Sequence, residues 1–147
     1  MVCLGNICRS PLAEGILRQK ITDQNLDIWV ESAGTSGHHT NDAPDRRMQK
    51  TALLRGVDIS NLRASKFKRK DFKKYDLIYV MDESNYNNVA GLATSDYDKQ
   101  KVKYLLNEIN PNKNEAVPDP YFGGQEGFDH VFDLLDLATD KLIEKLK

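Results

Sequence analysis

Residues 1–11 read MVCLGNICRSP and contain both cysteines of the 147-residue chain, Cys3 and Cys8. Ser10 and Pro11 predict the start of a helix, because serine is a common N-cap and proline is favoured at the first helical position. The residues before them are too few and too rich in turn formers for a further element. We therefore expect a strand, a tight loop and a helix in direct succession.

The loop between this strand and this helix has the composition of an anion site. Gly5 and Asn6 allow successive backbone N–H groups to point inward, and the helix adds its free N–H groups and its positive dipole end. The same field favours the thiolate of Cys3, which makes Cys3 the candidate nucleophile. Arg9 can hold two phosphoryl oxygens through its planar guanidinium, and the Ser10 hydroxyl can bond the sulfur.

A proton donor for a leaving group is missing from this loop. Residues 117–121, VPDPY, place one acid, Asp119, between two prolines that stiffen the backbone. We expect Asp119 to act as a general acid. Taken alone, Asp119-Pro120 also fits a simple turn, and Cys3 and Cys8 also fit two small buried side chains.

Strand and helix patterns alternate along the chain. The predicted strands beyond the first lie at residues 28–33, 77–81 and 102–106, and the predicted helices begin at Ser10 or lie at residues 44–55, 83–89 and 128–146. This alternation predicts right-handed βαβ units and a parallel sheet with helices on both faces. Ligands bind such sheets beyond the carboxyl ends of the strands, where residues 3–10, 32–39 and 81–82 fall.

Composition limits the function classes. With 39% hydrophobic and 29% charged residues, the chain is expected to form one globular domain over residues 1–147. A net charge of -1 disfavours a general nucleic-acid binder. Neither an apolar run of about 20 residues nor a secretory signal pattern is visible, so we expect a cytoplasmic protein with reduced cysteines and no membrane partner. The cysteine and histidine spacing fits no zinc pattern, and no metal or cofactor is expected.

One strongly basic stretch, KFKRKDFKK, occupies residues 66–74. It predicts a short solvated helix with Phe67 and Phe72 turned inward. A nucleic-acid surface or a surface for an acidic partner is the alternative interpretation.

Residues 2–11 resemble the signature loop of the low-molecular-weight protein tyrosine phosphatases. Asp119-Pro120-Tyr121 resembles the general-acid motif of that family, and residues 32–37 and 75–85 also look like family landmarks. The resemblance covers essentially the whole chain. It implies a flavodoxin-like, three-layer α/β fold with a four-stranded parallel sheet, and a metal-independent phosphoric monoester hydrolase that acts on phosphotyrosine.

The resemblance also implies roles for individual residues. Cys3 attacks phosphorus, Arg9 and the loop amides hold the phosphoryl group, and Asp119 protonates the tyrosine oxygen and then activates water against a phosphocysteine. The implied phosphate-binding loop comprises Leu4, Gly5, Asn6, Ile7, Cys8 and Ser10. Ser32 is implied to support Asn6, and Cys8 is implied to trap Cys3 as a reversible disulfide.

The implied pocket wall consists of His38, Tyr121 and Phe122, and a deep wall favours phosphotyrosine over phosphoserine. The histidine would give specificity a weak pH dependence. The implied partners are phosphotyrosine proteins or peptides, together with inorganic phosphate and oxyanion inhibitors. We expect a monomer.

Some positions depart from the family pattern. Leu62 stands where many members have a histidine that supports the loop, and only Met1 and Val2 precede Cys3 where members have a full apolar strand. Arsenate reductases of this fold need further cysteines downstream, and this chain has none. Arginine phosphatases of this fold typically carry threonine where this chain has Ile7. A non-catalytic phosphate-binding module is disfavoured because the nucleophile, the arginine and the acid are all present.

Overall fold

Four short parallel strands form the sheet at the centre of the protein, seen in a computed structural model that describes residues 1–147. The strands are β1 (Val2–Cys3), β2 (Ala33–Gly34), β3 (Ile78–Val80) and β4 (Val102–Tyr104). Their order across the sheet is β2-β1-β3-β4, and the pairing register is Cys3 with Gly34, Val2 with Val80, and Ile78 with Val102.

Six α-helices connect and cover these strands. They are α1 (Arg9–Asp23), α2 (Arg46–Leu54), α3 (Asp71–Lys74), α4 (Glu83–Ala90), α5 (Asp96–Lys99) and α6 (Gln125–Leu146), with a 3-10 helix at Leu105–Glu108. None of them combines the length and the apolar content that a bilayer-spanning helix needs.

Side chains alternate between the two faces of the sheet, as strand geometry requires. Cys3 and Tyr79 belong to a hydrophobic cluster built with α1, α2 and α6, whereas Val2, Ile78 and Val80 belong to a second cluster built with α3 and α4. The sheet is therefore covered on both faces. The predicted three-layer α/β class with a four-stranded parallel sheet is confirmed.

The strand predicted at residues 28–33 is wrong in extent, because only Ala33 and the following Gly34 belong to β2. Its partner β1 offers just two residues for pairing, which limits the length of the ladder. Trp29, which lies within the predicted strand, is 80% exposed. The strand predicted at 102–106 also ends early, at Tyr104, where the 3-10 helix takes over.

The helix predicted at residues 44–55 is shorter at both ends. It begins at Arg46, after Asp45 caps it by accepting a hydrogen bond from the backbone N–H of Arg47 at 2.8 Å. It ends at Leu54, and Gly56 then adopts a φ of +84°, which suits a glycine after a helix end.

In the basic stretch at residues 66–74, the two phenylalanines point inward as predicted. Phe67 and Phe72 are both buried and pack edge to face with their ring centroids 5.4 Å apart. The lysines and the arginine around them are exposed. Only residues 71–74 are helical, because Lys68 to Lys70 form a turn that Asp71 closes by accepting from the Lys68 N–H.

The chain reverses direction across the sheet at β1. From β1 it passes to β2 on one side and then returns to β3 on the other, so that β1 and β3 are neighbours with connections that leave in opposite directions. Such a switch point opens a crevice at the carboxyl ends of the two strands. The loop that begins at Cys3 lies in this crevice.

Candidate functional site

Asn6 fixes the shape of the loop between β1 and α1. Its backbone lies in the left-handed region, at a φ of 56°, and its side chain is buried. The side-chain amide donates to Ser10 Oγ at 2.7 Å and to Ser32 Oγ at 2.9 Å, and its oxygen accepts from the backbone N–H of Ser65 at 3.0 Å. One side chain thus ties the loop to the start of α1, to the residue before β2 and to the chain that runs beside β2.

Glu14 extends this network into the protein interior. Ser32 donates from its hydroxyl to Glu14 at 2.6 Å, and the nearly buried carboxylate of Glu14 also pairs with Arg18. The sequence prediction missed Glu14. An acid four residues after Ser10, on the same face of α1, was the available signal.

Cys3 is buried at the end of β1, and its sulfur has two polar neighbours. Ser10 Oγ lies 3.0 Å from Cys3 Sγ, and the backbone N–H of Asn6 donates to the same sulfur at 3.3 Å. Asn6 already donates to Ser10 Oγ, so the Ser10 proton is directed towards the sulfur or towards the Ala33 carbonyl, which lies 3.4 Å away. The Asn6 N–H donates to the sulfur, and the Ser10 hydroxyl is placed so that it can do so as well.

Arg9 connects the loop to two distant segments. Its guanidinium Nη1 donates to Asp82 Oδ2 at 2.8 Å and to the Val117 carbonyl at 3.0 Å, and its Nη2 lies 3.6 Å from Asp119 Oδ2. Asp82 also caps α4 by accepting from the backbone N–H of Asn85 at 2.8 Å. The buried arginine is therefore oriented from one side, while Nη2 makes no hydrogen bond. Asp82 was noted at a strand end but was not predicted as a site residue.

The segment that carries Asp119 is anchored to α2 by Arg47. Arg47 donates to the Tyr121 carbonyl at 2.8 Å, and its guanidinium lies over the rings of Tyr121, at 5.4 Å, and Phe128, at 4.7 Å. The Asp119 carboxylate is 44% exposed and accepts from the Tyr121 N–H at 3.1 Å. The acid thus lies at the surface on a braced loop. The sequence prediction gave Arg47 no role.

The residues predicted as a pocket wall lie at the surface around this loop. Tyr121 is 38% exposed and Phe122 is 95% exposed, and their rings meet edge to face at 4.9 Å. His38 is exposed, and its neighbour His39 is the histidine that lies against the loop. A Cβ atom on Gly5 would stand 3.1 Å from the His39 ring.

Leu4, Ile7 and Cys8 complete the loop. Leu4 is 48% exposed, and the Ile7 carbonyl accepts from the N–H of Asp45 at 2.8 Å. Cys8 is buried, and both cysteines are free thiols. Burial raises the pKa of the Cys8 thiol, and the negative charges of Asp45 and Cys3 raise it further.

The arrangement can bind and attack an anion. A buried sulfur lies within hydrogen-bond distance of the Ser10 hydroxyl and the Asn6 N–H, Arg9 at the start of α1 carries a fixed guanidinium, and an exposed carboxylate lies 3.6 Å from that guanidinium. No group of three or more His, Cys, Asp or Glu side chains is placed to hold a metal ion.

Comparisons with known proteins point to one family. Residues 1–147 match the family model described as low molecular weight phosphotyrosine protein phosphatase. The human low molecular weight phosphotyrosine protein phosphatase is 38% identical over 146 residues, which cover 98% of this chain and 92% of the human protein.

Solved structures agree with this match. The crystal structure of a protein tyrosine phosphatase from Entamoeba histolytica, with Hepes in its active site, is 37% identical, and its TM-score is 0.92 over 99% of this chain and 93% of that one. The Drosophila arginine phosphatase is 29% identical, with a TM-score of 0.91 over 99% of this chain and 95% of that one.

Gly34 leaves room for the loop, and filling that room should displace it. A Cβ atom at Gly34 would stand 2.8 Å from the Leu4 carbonyl oxygen and 3.1 Å from the Asn6 nitrogen, both of which are backbone atoms. We expect Gly34→Ala to weaken inorganic phosphate binding by about ten-fold or more and to lower the free energy of unfolding by about 1–3 kcal/mol. Calorimetric titration and urea unfolding measure the two effects.

Gly124→Ala is the matched control. No atom lies within 4 Å of a Cβ atom at Gly124, and its φ is -88°. This variant should bind phosphate as the wild type does. Wild-type phosphate affinity in Gly34→Ala as well would show that β2 does not constrain the loop.

Stability should depend on pH through Cys8. The folded protein keeps this thiol protonated, whereas the unfolded chain releases its proton above about pH 8.5, so the free energy of unfolding falls as the pH rises beyond that value. We expect the wild type to lose about 1 kcal/mol more than Cys8→Ser between pH 7.5 and 9.5. Urea unfolding of both proteins under reducing conditions measures this difference, and equal losses would contradict it.

Proposed function

The chain belongs to the low molecular weight phosphotyrosine protein phosphatases, a family of phosphoric monoester hydrolases, and on this premise we propose that residues 1–147 form one catalytic domain that hydrolyses phosphotyrosine through a phosphocysteine on Cys3. The observation that carries the proposal is that Asp119, from a distant part of the sequence, lies beside Arg9 at the end of the loop that begins at Cys3. Cys3 and Arg9 share one loop, and Asp119 lies 3.6 Å from the Arg9 guanidinium.

In the proposed first step the Cys3 thiolate attacks phosphorus. The Sγ–P bond forms while the bond between phosphorus and the tyrosine oxygen breaks, and Asp119 transfers its proton to that oxygen. Asp82 and the Val117 carbonyl already occupy Arg9 Nη1, so Nη2 is available to a phosphoryl oxygen. The loop N–H groups stabilise the charge that develops on the other oxygens.

In the proposed second step water attacks the phosphocysteine. Asp119 now accepts a proton from this water, the Sγ–P bond breaks, and inorganic phosphate leaves. Ser10 stabilises the departing thiolate, because its hydroxyl lies 3.0 Å from the sulfur and can donate to the charge that develops there. No metal ion takes part in either step of this proposal.

The proposed substrate class follows from the rim of the site. Tyr121 and Phe122 stand beside the segment that carries Asp119 and offer apolar contact to the ring of a phosphotyrosine. Ile7 also supports phosphotyrosine over phosphoarginine, because arginine phosphatases of this fold typically carry threonine at that position. The similarity to the Drosophila arginine phosphatase makes phosphoarginine the alternative that the experiment must include.

Cys8 is proposed as the redox partner of Cys3. A peroxide first oxidises the Cys3 thiolate to a sulfenic acid and is itself reduced. The Cys8 sulfur then displaces hydroxide from that sulfenic acid and forms a Cys3–Cys8 disulfide. The hydroxide and the Cys8 thiol proton combine to give water. Burial raises the pKa of the Cys8 thiol, so Cys8 is protonated at neutral pH, and its proton passes to the departing hydroxide as the disulfide forms. Because Cys3 acts only when reduced, the proposal includes a cytoplasmic location.

The experiment that tests the proposal compares three peptides of one sequence that carry phosphotyrosine, phosphoserine or phosphoarginine, in EDTA, with wild type and Cys3→Ser. We expect turnover of the phosphotyrosine peptide by the wild type alone. Cys3→Ser should still bind inorganic phosphate, which shows that the site is folded. Preferred turnover of the phosphoarginine peptide would change the proposed substrate class from phosphotyrosine to phosphoarginine. Turnover by Cys3→Ser would overturn the mechanism.

Asp119→Ala should lower kcat for a phosphotyrosine peptide by about 10²–10⁴-fold, because the tyrosine oxygen would leave without a proton. The loss should be much smaller for an aryl phosphate whose phenol is strongly acidic, since that leaving group needs no proton. Steady-state kinetics with both substrates measure the difference. Asp129→Ala is a control, because this exposed acid lies in α6 and makes no salt bridge. Equal losses for both substrates would remove Asp119 from the role of acid.

A further inference from the structure

The basic stretch at residues 66–74 is a local concentration of positive charge. It contains six lysines or arginines and one acid, whereas the whole chain carries a net charge of -1. Its two phenylalanines are buried, so the cations around them remain at the surface. Lys66, Lys68 and Lys70 are exposed and form no salt bridge, whereas Lys74 pairs with Glu31.

The sheet places the start of this stretch beside the candidate nucleophile. Cys3 pairs in register with Gly34, and Gly34 in turn forms an isolated parallel bridge with Lys66. Neighbouring strands lie about 4.8 Å apart, so the Cα atoms of Cys3 and Lys66 are separated by about 10 Å. An extended peptide covers this distance with about three residues.

A groove joins the two positions. This cavity of about 360 Å³ is bounded by Leu4 and Ser36 near the phosphate loop and by Lys66 and Leu92 at its other side. Arg69 continues the basic side of the groove, because its Nε donates to the Leu92 carbonyl at 3.0 Å. Leu4 directly follows Cys3 and is half exposed, so the groove leads away from the residue next to the nucleophile.

We propose that this groove and the cations at Lys66, Lys68 and Arg69 bind acidic residues of a substrate peptide, within about three to four positions of its phosphotyrosine. The proposal rests on the proposed function, since it names the peptide class that the same site accepts. Charge complementarity carries it: Lys66 and Leu4 of the phosphate loop line the same groove, Lys68 and Arg69 directly follow the lining residue Phe67, and none of the three cations has an acidic partner. The remaining residues include 15 basic and 21 acidic side chains, a net charge of -6, so the basic stretch is where an acidic peptide is attracted rather than repelled.

The test uses two phosphotyrosine peptides that differ only in three flanking residues on each side, which are glutamate in one and glutamine in the other. The readout is the ratio of kcat/KM for the acidic peptide to that for the neutral peptide, at low ionic strength. We expect a ratio of about five or more for the wild type, because each exposed ion pair contributes about two- to five-fold. In 0.5 M salt the ratio should fall towards one.

The variant Lys66→Gln/Lys68→Gln should reduce this ratio to within about two-fold of one. Lys99→Gln/Lys141→Gln is the matched control: it removes the same charge from exposed lysines on α5 and α6, and it should keep the wild-type ratio. The kcat/KM for p-nitrophenyl phosphate, which has no flanking residues, should be unchanged in both variants and reports that the site is intact.

A failure of the proposed function can be distinguished from a failure of the proposed docking surface. No turnover of either peptide or of p-nitrophenyl phosphate by the wild type would contradict the proposed function itself. Turnover of both peptides with a ratio near one, or an equal loss of preference in the control variant, would overturn the docking surface alone. Loss of binding to anionic phosphatidylserine vesicles in Lys66→Gln/Lys68→Gln, with an unchanged peptide ratio, would overturn it in favour of a membrane contact.

Discussion

The side chain of Asn6 is the constraint on which the rest of the site depends. Its backbone adopts a left-handed conformation, which a non-glycine residue holds only when its surroundings enforce it. Ser32 and Ser65 provide that enforcement from outside the loop, and Ser10 provides it from the start of α1. Because this amide donates to Ser10 Oγ, it limits the Ser10 proton to the Cys3 sulfur or the Ala33 carbonyl. The donors are therefore ordered when the protein folds rather than when an anion binds.

Sequence patterns were sufficient for the layer architecture, because alternating apolar runs and helix signals report which surfaces must be buried. The buried run at 77–81 and the long amphipathic helix after Phe128 both led to observed elements, β3 and α6. The extent predicted for the strand at 28–33 was wrong for a reason that lies outside those residues. Its length is set by the two residues of β1 opposite it, and strand propensity carries no information about a partner's length.

For the candidate site too, some residues could be predicted from the sequence and others could not. Cys3, Arg9 and Asp119 could be selected by their chemistry, and the fold brings Asp119 to within 3.6 Å of the Arg9 guanidinium. Asp82 could not be selected, because its role depends on a tertiary contact, and the only signal for Glu14 was its helical spacing from Ser10. Seventy-three residues separate Arg9 from Asp82, and no local pattern pairs positions at that distance. His39 rather than His38 lies against Gly5 because the turn after β2 sets which ring faces inward.

The bonds of Arg9 have a consequence for folding cooperativity. Its guanidinium is buried, and its partners come from the start of α4 and from the segment around Val117. If either segment detached, a positive charge would be left inside the protein with half of its partners missing, which is strongly unfavourable. Local opening of the acid segment is therefore coupled to the stability of α1 and α4. We therefore expect these parts of the chain to unfold together, as a single cooperative unit.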